Sequence, residues 1–179
     1  NIQGTIRFYG TPAEEGGSGK VYMVREGLFN DVDIVLHWHP DDVNGANAMT
    51  NNSNKSAIFT FKGISAHAAG APELGRSALD GVESMNMMVN MMREHMPQSS
   101  RIHYVITKGG LAPNVVPDLA EVYYYVRHPK MNMVDELFQR VVKTAQGAAI
   151  GTETSVSFEV MHGNLSLIHI SEPTRPSTI

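Results

Sequence analysis

Adjacent carboxylates at Glu14 and Glu15 open a polar, Gly-rich turn, Glu14-Glu15-Gly16-Gly17-Ser18-Gly19. Neighbouring side chains on a turn point in different directions, so one carboxylate can bind a divalent ion while the other takes a proton from water. His37 and His39 flank Trp38 at the end of a short apolar run. Alternation along a strand would put both imidazoles on one face. Carboxylate oxygen and imidazole nitrogen suit Zn²⁺ or Mn²⁺. His67 lies among small residues, Gly63-Ile64-Ser65-Ala66-His67-Ala68-Ala69-Gly70, which let a substrate or a second chain come close. Asn114 sits in a loop punctuated by Gly109, Gly110, Pro113 and Pro117. Arg127 follows at a strand end, where its forked guanidinium suits a carboxylate. By residue type alone each has a plainer use: a solvated acidic turn, structural or loop histidines, a surface ion pair.

Two frameworks are needed to position these groups. Residues 2–9 contain β-branched and aromatic residues and predict a strand. Lys20 to Glu26 predicts a short helix ended by Gly27. Asp33 to Trp38 predicts a buried strand before Pro40. Strand, helix, strand is a βαβ unit of a parallel sheet. Ligand sites in such sheets lie at the carboxyl ends of the strands. The Glu14-Glu15 turn and the histidines should share that edge.

Residues 41–55 are polar and Asn-rich and predict a connection. Alternating strands are then expected at 56–62, 101–107, 120–127 and 154–160. Ala78, Val82, Met85, Val89, Met92 and Met96 recur at helical spacing over residues 76–96. Val134, Leu137, Phe138, Val141 and Val142 mark a second amphipathic helix. The order β-α-β-β-α-β is the ferredoxin-like arrangement. The methionine stripe on the first helix reads as core filled with flexible side chains.

Composition narrows the function classes. The 179 residues carry a formal net charge of −4, which disfavours nucleic acid as the main partner. Tyr123, Tyr124 and Tyr125 on one strand leave RNA stacking as a rival reading. No apolar run has the length of a membrane span. Cysteine is absent, which fits a reducing, cytoplasmic compartment. Leu165 to Arg175 matches a translated sequencing-library adapter, so the tail is set aside as non-native.

Several motifs in order carry a family resemblance. Thr11 to Gly19 resembles the P-A-E-E-G-x-x-G turn of the metal-dependent amidohydrolases related to aminoacylase, carboxypeptidase G and the auxin-conjugate hydrolases. Gly63 to Ala69 resembles their G-x-x-x-H-A-A loop, and Asn114-Val115-Val116-Pro117 their N-V-[IV]-P motif. Trp38-His39-Pro40, Ala66 to Ala69 and Leu74 to Asp80 bring it nearest to the p-aminobenzoyl-glutamate hydrolase branch. The resemblance implies part of an α/β catalytic domain at 1–53 and a ferredoxin-like lid and dimerisation domain at 54–163, and the adapter match leaves 164–179 as a non-native tail. It implies Glu14 as general base, Glu15 as metal ligand, and His39, with His37 as alternative, as a second ligand. It implies that His67 reaches into the partner subunit's site to stabilise the tetrahedral intermediate. Asn114 and Arg127 would hold the substrate carboxylate. The implied cofactor is Zn²⁺ or Mn²⁺, two per complete site, with the other ligands outside these residues and the isolated fragment inactive. The implied substrate is a small amide with a free carboxylate, the implied assembly a homodimer, and neither nucleic acid nor membrane a partner.

Overall fold

Beyond residue 50, apolar residues alternate along four strands and recur every three to four residues along two helices, and this pattern folds as one layer of sheet under one layer of helix. The structure is a computed structural model and describes residues 3–40, 42–45 and 51–164. The chain divides into two compact units whose described parts are residues 3–40 with 42–45, and residues 51–164. The adapter-like stretch lies outside the described residues.

The second unit runs β1 (Ser53–Lys62), α3 (Ala78–Met92), β2 (Arg101–Lys108), β3 (Leu119–His128), α4 (Met131–Gly151) and β4 (Ser155–Asn164), numbered with the two short helices of the first unit, α1 (Glu14–Gly17) and α2 (Gly19–Arg25). Its sheet is antiparallel with order β2-β3-β1-β4, the split β-α-β topology expected from the sequence. Ala57, Phe59 and Phe61 on β1 and Val122, Tyr124 and Val126 on β3 are buried beneath the helices. Val82, Met85 and Val89 of α3 and Leu137, Phe138 and Val141 of α4 close the core from above. The methionine stripe is split: Met85 and Met92 are core, whereas Met87 and Met91 are exposed. Ser77 caps α3 by accepting the Asp80 amide at 3.1 Å. The helix is shorter than the 76–96 expected and ends in a 3₁₀ turn, Arg93–His95. β1 begins at Ser53, so the last residues of the expected connection belong to the sheet.

Phe59 is the centre of the core. Its ring meets those of Phe158 at 5.4 Å, Tyr124 at 5.9 Å and Phe138 at 6.3 Å. Phe59→Ala should cost about 3–5 kcal/mol, because neighbours drawn from three elements cannot all collapse into the space. Urea unfolding checks this. A midpoint shift equivalent to less than about 1 kcal/mol would show that the core is not organised around this ring.

The first unit departs from expectation. Residues 3–9 and 33–38 form no strand, so the βαβ unit is absent among the described residues. Strands of a parallel sheet need a strand to pair with and cover on both faces. Here Ile34, Leu36 and Trp38 are exposed, and no strand of this unit is described for them to pair with. Side chains tie the segment instead. Arg7 donates two hydrogen bonds to the Asp31 carboxylate, at 2.7 and 2.6 Å, and holds its pKa below the ordinary value. The Tyr9 hydroxyl donates to the Leu28 carbonyl at 2.9 Å, and its ring meets Phe29 at 4.8 Å. The expected helix forms as α2, and Gly27 follows it at φ 75, a left-handed conformation that glycine adopts without strain.

Candidate active site

Glu14 and Glu15 open α1 and are both exposed. Ala13 and Ser18, which flank α1, have φ of 55 and 51, a left-handed region that residues with a Cβ enter rarely. The turn is therefore sharp on both sides. His37 and His39 are exposed on irregular backbone, so the shared-edge argument from paired strands does not hold. Their rings differ. His39 Nδ1 lies 2.8 Å from the Pro40 carbonyl, and His37 Nδ1 lies 3.2 Å from the Trp38 carbonyl. A carbonyl only accepts, so Nδ1 carries the proton and Nε2 keeps a free lone pair. Metal-ligating histidines usually have this arrangement, and the shorter bond favours His39. Among the described residues no group of three or more acidic or histidine side chains is close enough to hold a metal ion. Glu15 and His39 supply fitting donor types, but they are at most part of a ligand set.

In the second unit, two motifs far apart in sequence meet. His67 bridges to Val115, the Ala68 amide donates to the Asn114 carbonyl at 3.0 Å, and the Val116 amide donates to Ala66 at 2.9 Å. Gly63 makes the turn into this loop. A Cβ there would stand 1.9 Å from the Arg76 carbonyl oxygen, so no other residue fits. The His67 ring is fixed by its own loop. Nδ1 accepts the Gly70 amide at 2.9 Å and the Ala69 amide at 3.2 Å. Two donors at Nδ1 place the ring proton on Nε2. His67 is exposed and so presents an oriented N–H donor.

Arg127 is not near that loop. The His67 and Asn114 segments are anchored where Lys62 pairs with Leu119, while Arg127 pairs with Asn54 at the other end of the same ladder. At the rise of a strand, Leu119 and Arg127 stand about 27 Å apart. Asn114 and Arg127 of one chain therefore do not converge on one carboxylate.

Arg127 lies on the sheet face away from the helices, its guanidinium 5.3 Å from the Tyr125 ring centre. Arg101 is opposite it on β2 and Asn54 on β1. Burial, with Arg127, Arg93 and Arg101 nearby, holds the His103 pKa below its ordinary value. Among the described residues no carboxylate forms an ion pair with Arg93, Arg101 or Arg127. The tyrosine triplet does not make a stacking platform. Tyr124 is buried and donates its hydroxyl to Asn86, and Tyr123 and Tyr125 pack edge to face at 5.1 Å.

Comparison with known proteins gives the family. Residues 50–153 match the model of the peptidase dimerisation domain. The chain is 53% identical over 154 residues to a subunit of the p-aminobenzoyl-glutamate hydrolase of Escherichia coli (strain K12), covering 86% of this chain and 32% of that protein. It is 32% identical over 150 residues to the Xaa-Arg dipeptidase of Mus musculus, covering 84% and 35%. The chain thus spans about a third of the length of these relatives. The fold matches the crystal structure of aminobenzoyl-glutamate utilization protein from Klebsiella pneumoniae with a TM-score of 0.55 at 24% identity, over 63% of this chain and 28% of that one. The sheet topology, the motifs and the match over more than half its length lead to one conclusion: this chain belongs to the peptidase dimerisation domain family.

Proposed function

We propose that the full-length protein is a metal-dependent amidohydrolase that cleaves an N-acyl amino acid with a free carboxylate, with aminobenzoyl-glutamate as the best-supported substrate. The observation that carries this reading is the His67 ring, whose Nε2–H is fixed as a donor by two backbone amides. A preset N–H donor suits the oxyanion of a tetrahedral intermediate. Glu14 takes a proton from the attacking water and later gives it to the leaving amine. Glu15 and His39 belong to the ligand set of Zn²⁺ or Mn²⁺. When bound, such an ion acidifies water and polarises the scissile carbonyl. Arg127 holds the substrate carboxylate.

The lid geometry supports a homodimer with shared sites. The scissile carbonyl and the carboxylate of such a substrate lie within about 4 Å of each other. His67 and Arg127 of one chain are too far apart to hold both. Two protomers related by a two-fold axis can supply one each. The surface suited to the second copy is the free edge of β2, beside exposed Val105 and the exposed Met87 and Met91 of α3. An unpaired edge strand is a template for antiparallel pairing. Asn114, beside His67, then serves the same site as His67. Among the described residues no helix is long and apolar enough to cross a membrane.

Release of 4-aminobenzoate from aminobenzoyl-glutamate by the full-length protein tests the proposal. Hydrolysis should be lost on chelation and restored by Zn²⁺ or Mn²⁺. Cleavage indifferent to chelation, or no cleavage with metal restored, would overturn it.

A further inference from the structure

Arg101 and Arg127 stand directly opposite each other where β2 pairs with β3. Their strand neighbours Ile102 and Val126 are buried beneath the helices, so both arginines project from the open face of the sheet. Like charges directly opposite on neighbouring strands destabilise a sheet. Nothing nearby offsets this pair: among the described residues no carboxylate forms an ion pair with either side chain. His103, two residues on from Arg101 and opposite Tyr125, lies in the same positive field and holds its proton less firmly for it.

The two guanidinium groups are held apart. Arg127 leans along β3 against the Tyr125 ring, 5.3 Å from its centre. Arg101 is tied the other way, its Nη1 donating to the Gln98 and Ser100 carbonyls of the turn before β2, both at 2.6 Å. The Arg101 side chain is exposed, and backbone contacts hold it in place before any anion arrives. Two separate forks suit two carboxylates better than one shared anion. Side chains opposite each other on paired strands start about 5 Å apart. The two carboxylate carbons of an extended glutamate are also about 5 Å apart.

We propose that Arg101 binds the side-chain carboxylate of an acidic amino acid, and so makes the amino-acid subsite select glutamate over neutral residues. The proposal rests on the assignment of Arg127 to the α-carboxylate made above. It adds the residue that reads the second charge.

Aminobenzoyl-glutamate and aminobenzoyl-glutamine, which differ only in that charge, test the proposal in the full-length protein. The wild type should show the lower KM for the glutamate compound. Arg101→Gln should raise that KM about 10–100-fold, the usual worth of a hydrogen bond to a charged group, with kcat within about two-fold. KM for the glutamine compound should stay within about two-fold. Arg101→Lys, which keeps the charge and loses the fork, should retain part of the preference. It also reads the ratio should Arg101→Gln fail to fold. A purely structural Arg101 would make both substrates worse by the same factor. That result, an unchanged ratio in the variants, or no wild-type preference would overturn the role of Arg101. Arg127→Met should weaken both substrates alike; if it weakens neither, the underlying assignment of Arg127 fails, and with it this proposal.

Discussion

Glu14→Gln in the full-length protein is expected to lower kcat about 10²–10⁴-fold while metal content stays nearly unchanged. Glutamine keeps the shape of the side chain and can still hydrogen-bond water, but it cannot take a proton. On the proposed mechanism the same substitution also removes the group that would protonate the leaving amine, so the loss should fall at or beyond the upper end of that range. Substrate binding should change little, because Arg127 is untouched. Glu15→Gln should act differently: metal content falls first, and excess metal recovers part of the activity. The two carboxylates are adjacent on an exposed four-residue helix, so a solvated acidic turn is the competing account. That account makes both substitutions nearly silent. Metal analysis beside kinetics separates the cases, and loss of metal with Glu14→Gln but not Glu15→Gln would exchange the two roles.

His67→Ala should cost about 10²–10³-fold in kcat, the loss typical of one oxyanion donor. KM should move little, since the donor meets charge that develops only in the transition state. The ring is preset in the free chain: the Ala69 and Gly70 amides hold Nδ1, so no reorganisation is needed to aim Nε2–H. A structural role predicts another pattern. The His67 carbonyl, not its ring, accepts the Ala71 amide, and backbone bonds to Ala66 and Asn114 hold the loop. Loss of the ring releases the amides of Ala69 and Gly70, both exposed residues whose N–H groups can turn to water, so His67→Ala should lower thermal stability only slightly. A large fall in stability with kcat intact would assign the ring to loop structure alone.

The second unit was legible in the sequence because each of its elements buries one face within the chain. Ala57, Phe59 and Phe61 alternate as a half-buried strand must, and Val82, Met85 and Val89 repeat as a helix covering it must. The first unit was not legible in the same way. Asp33 to Trp38 has the composition of a buried parallel strand, but composition states a need for neighbours and cannot supply them. Its apolar residues stand exposed among the described residues. The motif resemblance marked His67 and Asn114 as candidates, and backbone bonds unite their loops. It could not show that Arg127, only a short distance beyond Asn114 in sequence, lies at the other end of β3. An extended strand turns a small sequence separation into about 27 Å.

That separation makes the sharing of sites between protomers the most exposed part of the account. The direct measurement is complementation between two impaired full-length variants, His67→Ala and Arg127→Met, dissociated, mixed in equal amounts and reassociated. If each site takes His67 from one protomer and Arg127 from the other, half of the mixed population is heterodimer and each heterodimer holds one intact site. Activity at low substrate should then return to about a quarter of the wild-type value. If both residues serve a site from the same chain, every site in the mixture carries one of the two lesions. Activity that stays at the level of the separate variants, with heterodimers shown to be present, would contradict the account.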